Sequence, residues 1–179
     1  MTVCLDPGHG GRDPGAVADG HREADLALLL ARRMKEGLIR AGHRVVWTRT
    51  DDRGLTLARR VQAAREAGAE LFVSVHCNAG PPAARGIEWF HAEGDAASRM
   101  LAQDWASRLQ ARIPVRVRGV KPDSASPRQR LFVLRGNRRE RRALLVEAGF
   151  ITSPADRELL LSPGFGLALG DALAEALRG

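Results

Sequence analysis

Short apolar runs that break into glycine-bearing loops constrain this chain most. Val3-Cys4-Leu5, Leu71 to Val75 and Ala143 to Val146 each have the length and side chains of a buried strand. Between and around them lie longer segments of helical period. Glu23 to Ala41 carries Leu26, Leu30, Met34 and Leu38 at four-residue spacing and stops at Gly42. Thr56 can cap a helix through Ala67, closed by Gly68. Ala96 to Ala111 reads as a helix with Met100, Leu101, Trp105 and Leu109 inward. Further strands are expected at His43 to Thr48, at Gly86 to His91 along a sheet edge, and as a short piece within Arg112 to Gly119. Helices around 155–161 and 165–177 finish the chain. Lys121 to Arg130 reads as a polar loop, Leu131 to Leu134 as a short apolar piece, and Arg135 to Arg142 as a solvated basic loop. Alternating strands and helices predict a single α/β domain over residues 1–179. Its sheet is mainly parallel and twisted, of about six strands, with helices on both faces.

At 179 residues the chain can bury one substantial core, and 44% hydrophobic with 27% charged residues excludes a disordered chain. No apolar run approaches the roughly 18 residues that span a bilayer. The balance of 28 basic against 21 acidic residues, a net +7, favours approach to polyanions, either nucleic acid or an anionic cell envelope. Aromatics at 4% and the absence of tyrosine leave little for base stacking, which argues against nucleic acid.

Three of the strands run out of sheet onto a chemically competent side chain. His9 follows the first on the turn Asp6-Pro7-Gly8-His9-Gly10-Gly11, His76 ends the run from Leu71, and Glu147 ends the run from Ala143. Ligands of open α/β sheets sit outside the carboxyl ends of strands. Catalytic zinc usually takes three protein ligands and keeps one position open, so His9 and His76 are candidate imidazole ligands needing a carboxylate. Glu23, at the start of the first helix, can be that ligand or a simple first-turn acid, and His21 is its rival. His43 and His91 read as structural or exposed. Cys4 and Cys77 show no framework spacing and read as buried thiols; Cys77 as a ligand is disfavoured because alternation points it away from His76. Glu147 ends an apolar run where a carboxylate is costly to bury. It can serve as a general base beside a metal site, or pair with one of the arginines of Arg135 to Arg142.

These residues resemble the zinc-dependent N-acetylmuramoyl-L-alanine amidases of the amidase_3 type. The resemblance opens with Leu5-Asp6-Pro7-Gly8-His9-Gly10-Gly11 and Asp13-Pro14-Gly15-Ala16, and continues through Glu23-Ala24-Asp25-Leu26 and Thr48-Arg49-Thr50-Asp51-Asp52. It runs on through Arg60, Ser74-Val75-His76-Cys77-Asn78-Ala79 and Arg118-Gly119-Val120-Lys121 to Leu145-Val146-Glu147-Ala148-Gly149-Phe150-Ile151, covering essentially the whole chain. It implies one Zn²⁺ per chain held by His9, Glu23 and His76, with Glu147 as the catalytic glutamate, and so favours Glu23 over His21.

The resemblance further implies hydrolysis of the amide between N-acetylmuramic acid and the L-alanine of the stem peptide. The expected partner is peptidoglycan, with no nucleic acid, no transmembrane segment and a monomeric state. Asn78 and the arginines of Arg116 to Arg142 are candidate substrate contacts. The chain departs from the family's usual pattern at Cys77, at Arg65 and at Thr152-Ser153-Pro154, none of which touches an expected ligand. The segments from His91 to Ala96 and from Pro122 to Arg130 are too short for the helix that plugs the site in some relatives, so an open site is expected. A strand beginning almost at Met1 leaves no room for a secretory leader. Action at the wall, periplasmic or extracellular, is therefore expected of either a trimmed precursor or a phage-type lysin made in the cytoplasm. Rival functions are a zinc peptidase cutting within the stem peptide and a non-catalytic peptidoglycan-binding module.

Overall fold

The computed structural model describes residues 1–178. Its elements run β1 (Thr2–Pro7), β2 (Val17–Ala18), β3 (His21–Arg22), α1 (Glu23–Arg40), β4 (Arg44–Trp47), α2 (Leu57–Glu66), β5 (Leu71–Asn78) and β6 (Ile87–His91). They continue with α3 (Ala96–Arg112), β7 (Val117–Pro122), a 3-10 turn (Asp123–Ala125), α4 (Phe132–Asn137), β8 (Arg142–Phe150), α5 (Pro154–Leu161) and α6 (Pro163–Ala176). Six strands form one sheet in the order β4-β1-β5-β8-β6-β7, and β2 with β3 form a separate small ribbon. β1, β4, β5 and β8 are mutually parallel, whereas β6 runs antiparallel to β8 and carries β7 parallel to itself. The expected mainly parallel α/β architecture is therefore present.

Strand alternation divides the sheet into two unequal faces. Val3, Leu5, Val73, Val75, Leu144 and Val146 enter the larger core, which Leu30 and Met34 of α1, Trp105 of α3 and Leu173 of α6 complete. The intervening residues Cys4, Phe72, Phe90 and Leu145 enter a smaller core with Ala64 of α2 and with Val133 and Leu134 of α4. Two short helices leave part of that second face uncovered, and this is where the cleft opens.

Five expectations need correction. β6 is not an edge strand: it lies between β8 and β7, and β7 forms that edge. β7 takes up the first residues of the expected polar loop and ends at Pro122, because it extends alongside the whole of β6. Phe132 to Asn137 is helical, since Val133 and Leu134 pack beneath the second face. The basic run beyond is tied down rather than simply solvated, with Arg135 paired to Asp123 and Arg141 donating to the Ala69 carbonyl at 2.9 Å. Met100 is exposed, because the buried stripe of α3 passes through Leu101, Trp105 and Leu109 beside it. Both cysteines are free and buried, as expected.

Candidate metal and catalytic site

His9 follows β1 on a loop that must bend sharply, and it sits there with φ +57. Two buried arginines hold that loop by its carbonyls. Arg49 donates to the Pro7, Gly8 and Ala24 oxygens at 2.9, 2.7 and 2.8 Å. Arg60 donates to the Pro7 and His9 oxygens at 2.7 Å each. Asp6, itself buried, neutralises Arg60 at 2.8 Å and accepts from Thr48 and Ser74. Arg49 and Arg60 belong to the segments that carry the family resemblance, but residue type alone did not reveal their job. A solvated arginine and a carbonyl clamp read identically in one dimension.

The clamped loop brings His9 against the end of β5. Gly8 is required here, because a Cβ would lie 2.2 Å from the His76 ring. Gly15 is required likewise: φ is +67, and a Cβ would lie 2.6 Å from a Glu23 carboxylate oxygen. Glu23 opens α1 and turns its carboxylate between the two imidazoles, with Oε1 at 3.0 Å from His9 Nε2 and 2.9 Å from His76 Nδ1. Its second oxygen accepts the Ala16 amide at 3.0 Å. One ligand atom from each of His9, Glu23 and His76 lies within 4.8 Å of the others. The opposite ring nitrogen of His9 meets Asp13 Oδ2 at 2.8 Å, the contact that orients a ligating imidazole.

Burial opposes the charge on Glu23, but hydrogen bonds and charge from His76 and His9 outweigh it and hold the carboxyl well below its usual range. Burial likewise opposes the His9 imidazolium, and Glu23 with Asp13 more than compensates, raising its pKa. The trio behaves as an anion clasped by two imidazoles. Such a mixed nitrogen and oxygen donor set suits a divalent ion such as zinc.

Glu147 is the register partner of His76 across the β5–β8 pair and of Glu88 across β8–β6. It makes no ion pair among the described residues, and its Oε2 is buried without a hydrogen-bond partner. None of the arginines of Arg135 to Arg142 pairs with it among the described residues, so the alternative pairing does not form. Burial pushes the Glu147 pKa up to about 7, opposed by the charge of His76 and reinforced by Glu23 and Glu88. Glu88 is buried beside it, accepting from Asn78 at 2.7 Å and pairing with Lys121 at 2.5 Å and Arg118 at 3.1 Å. Glu88 was missed, because it stands at the start of its strand and not the end. Only the antiparallel course of β6 brings it to the site.

A cleft of about 730 Å³ contains His9, Glu23, His76 and Glu147 together. Residues 126–128 and 130–133 form one wall of it. His21 lies on β3 outside the ligand cluster, and His91 is buried against the Ala92 carbonyl in a structural role. Cys77 points into the larger core, and its thiol pKa is raised well above the ordinary value by burial. No single helix is long and apolar enough to cross a membrane among the described residues.

Comparison with known proteins agrees with this geometry. The sequence model of the family described as N-acetylmuramoyl-L-alanine amidase matches residues 3–179. The uncharacterised protein YqiI of Bacillus subtilis is 36% identical over 98% of this chain and 82% of its own length. The N-acetylmuramoyl-L-alanine amidase LytC of Bacillus subtilis is 33% identical over 89% of this chain, which spans only 31% of LytC. Among solved structures, an N-acetylmuramoyl-L-alanine amidase from Clostridium difficile 630 superposes with a TM-score of 0.89 at 30% identity, over 99% of this chain and 94% of the other.

Proposed function

The chain belongs to the N-acetylmuramoyl-L-alanine amidase family, and on that premise we propose that it hydrolyses the amide joining N-acetylmuramic acid to the L-alanine of the stem peptide at a site built from His9, Glu23, His76 and Glu147. The family's substrate is peptidoglycan. The whole of residues 1–179 is one catalytic domain in this reading, acting as a monomer at the cell wall.

The single observation that carries the proposal is the meeting of two unlike features in one cleft. One is the His9, Glu23 and His76 trio, with ligand atoms within 4.8 Å. The other is Glu147, a buried carboxylate with an unpartnered oxygen and a pKa pushed to about 7. A chain using the trio only as structural support would have no reason to leave such a carboxylate unpartnered beside it. The donor chemistry fits one Zn²⁺ held by His9, Glu23 and His76. Bound there, zinc supplies a Lewis acid that polarises the scissile carbonyl and lowers the pKa of water to about 7.

The chain's own residues do the rest. Asp13 holds the His9 ring through Nδ1, and the Arg49 and Arg60 clamp fixes the loop that presents it. Glu147 takes a proton from the attacking water. It holds that proton in a desolvated position where the protonated acid is stable near neutrality. It then gives the proton to the leaving amine of L-alanine, so that one carboxylate serves both half-steps.

The test pairs metal analysis with turbidity loss of purified peptidoglycan, for the wild type and Glu147→Ala. The expected result is one zinc per chain in both and lysis in the wild type alone, with product peptides that begin at a free L-alanine on an intact stem. New termini inside the stem peptide would replace the amidase reading with a peptidase. Binding to sacculi without lysis after metal loading would replace it with a binding module.

A further inference from the structure

The cleft has a second chemical feature that the reaction does not use. Arg128 and Arg130 line it, both exposed, and neither guanidinium has a hydrogen-bond or ion-pair partner among the described residues. Apart from Glu147, the other charges in the cleft are matched. Asp6 is balanced by Arg60, Asp13 meets His9, Glu23 lies between two imidazoles, and Glu88 faces Lys121 and Arg118. Two uncompensated cations therefore stand in a cleft that already contains the reaction site.

Their backbone is built to hold them there. Gln129, between them, has φ +55, and the Arg130 amide donates to the Arg128 carbonyl at 2.6 Å. That is a γ-turn of the rare, strained hand, which folds the chain back so that both flanking side chains reach one cavity. The turn is fastened at its base by Asp123, which is fully buried. Its carboxylate accepts the Leu131 amide at 3.1 Å and the Glu93 amide at 3.0 Å, and pairs with Arg135 at 2.5 Å. Ser126 returns a hydrogen bond to the Asp123 carbonyl at 2.9 Å. Leu57 and Phe132, each about half exposed at 50% and 51%, border the same cleft and offer apolar contact beside the cations.

Resting on the amidase reading above, we propose that Arg128 and Arg130 form a carboxylate-binding subsite for the stem peptide, flanked by Leu57 and Phe132. This subsite selects stem peptides with free carboxylates over those in which the carboxylates are amidated. The planar guanidinium is matched to a carboxylate and gains far less from a neutral carboxamide.

The experiment uses two soluble muramoyl peptides that differ only in carrying carboxylates or carboxamides along the stem. kcat and KM are measured for the metal-loaded wild type, for the Arg128→Gln/Arg130→Gln double variant and for Arg128→Lys/Arg130→Lys. The wild type should prefer the carboxylate peptide. The glutamine pair should raise KM for that peptide by about 10- to 100-fold and for the carboxamide peptide much less, while the lysine pair keeps part of the preference. Equal losses on both peptides, or no preference in the wild type, would overturn the subsite. Binding of the two peptides to Glu147→Gln, with and without the glutamine pair, decides the same question independently of turnover. Failure of the wild type to cleave either peptide would therefore count against the amidase reading, while the binding arm still decides the subsite.

Discussion

His76 and Glu147 stand side by side as register partners on the central parallel pair β5–β8. Neighbouring strands lie about 4.8 Å apart, so this pairing sets a candidate ligand and a candidate base next to each other on the same face of the sheet. Neither residue needs a flexible loop to find the other. The consequence is a separation of roles that mutation can expose.

Replacing Glu147 with Gln keeps the shape and removes the base. Zinc content should stay at one per chain, and hydrolysis of peptidoglycan should fall by about 10²- to 10⁴-fold. Atomic emission and a turbidity assay on the same preparation check both halves. Loss of zinc along with activity would place Glu147 among the ligands instead.

Asp13→Asn acts through His9. Asp13 is two-thirds exposed, so the fold should be unaffected, whereas the His9 ring loses the carboxylate that orients its Nδ1. Zinc affinity measured by competition with a chelator should weaken by about 10- to 100-fold. An unchanged affinity would mean that the 2.8 Å contact has no bearing on the metal site.

Arg60→Met strips a buried carboxylate of its partner. Asp6 and Arg60 are nearly inaccessible, and such a loss costs about 3–5 kcal/mol, with Thr48 and Ser74 keeping the cost towards the lower figure. For a chain of this size that is on the order of 10 °C in Tm by calorimetry. The Asp6→Asn/Arg60→Met double variant should lose less than the two single variants combined, because it no longer buries an unpaired charge.

Without metal, Glu147 titrates from about 7, above its ordinary 4.5. A carboxyl whose pKa is raised by folding binds its proton more tightly in the folded state. Its contribution is full below about 4.5 and is lost as pH rises through about 7. The Tm of metal-free wild type should therefore fall relative to Glu147→Gln between those values. Differential scanning measured at intervals from pH 4 to 8 reads the effect, and parallel curves would show that Glu147 is not protonated near neutrality. Metal loading should draw the pKa down, since a nearby cation favours the carboxylate.

Glu88→Gln removes a negative charge beside Glu147 and leaves Lys121 and Arg118 without their shared partner. Both effects favour the ionised form of Glu147. The acid limb of the pH–activity profile should move to lower pH, with kcat read across the range at saturating substrate. A limb that moved upward or stayed in place would remove Glu88 from the electrostatics of the base.

Much of this site was legible because the chemistry sits near the carboxyl ends of strands, although β5 and β8 run past His76 and Glu147 to Asn78 and Phe150, beyond the expected ends. His9, His76 and Glu147 each interrupt an apolar run, and alternation told His76 from Cys77, whose side chain lies in the opposite core. Glu23 was ambiguous between ligand and first-turn acid, since a helix start favours an acid in either case. Arg128 and Arg130 looked like any other arginines in a polar loop. What distinguishes them is that they line the cleft without a partner, and partners such as Asp123 for Arg135 or Glu88 for Arg118 lie 12 and 30 residues away in the chain.

Periodicity and run length by themselves determined the class of fold, the parallel core and the end of the sheet where the chemistry gathers, because these depend on local backbone geometry and on which side chains avoid water. The antiparallel course of β6 was decided only in the tertiary structure. So were the carbonyl clamp by Arg49 and Arg60 and the isolation of Glu147 and of the two cleft arginines. Each of these depends on which distant group comes within about 3 Å of a charge, a question of packing that no residue settles with its neighbours in sequence.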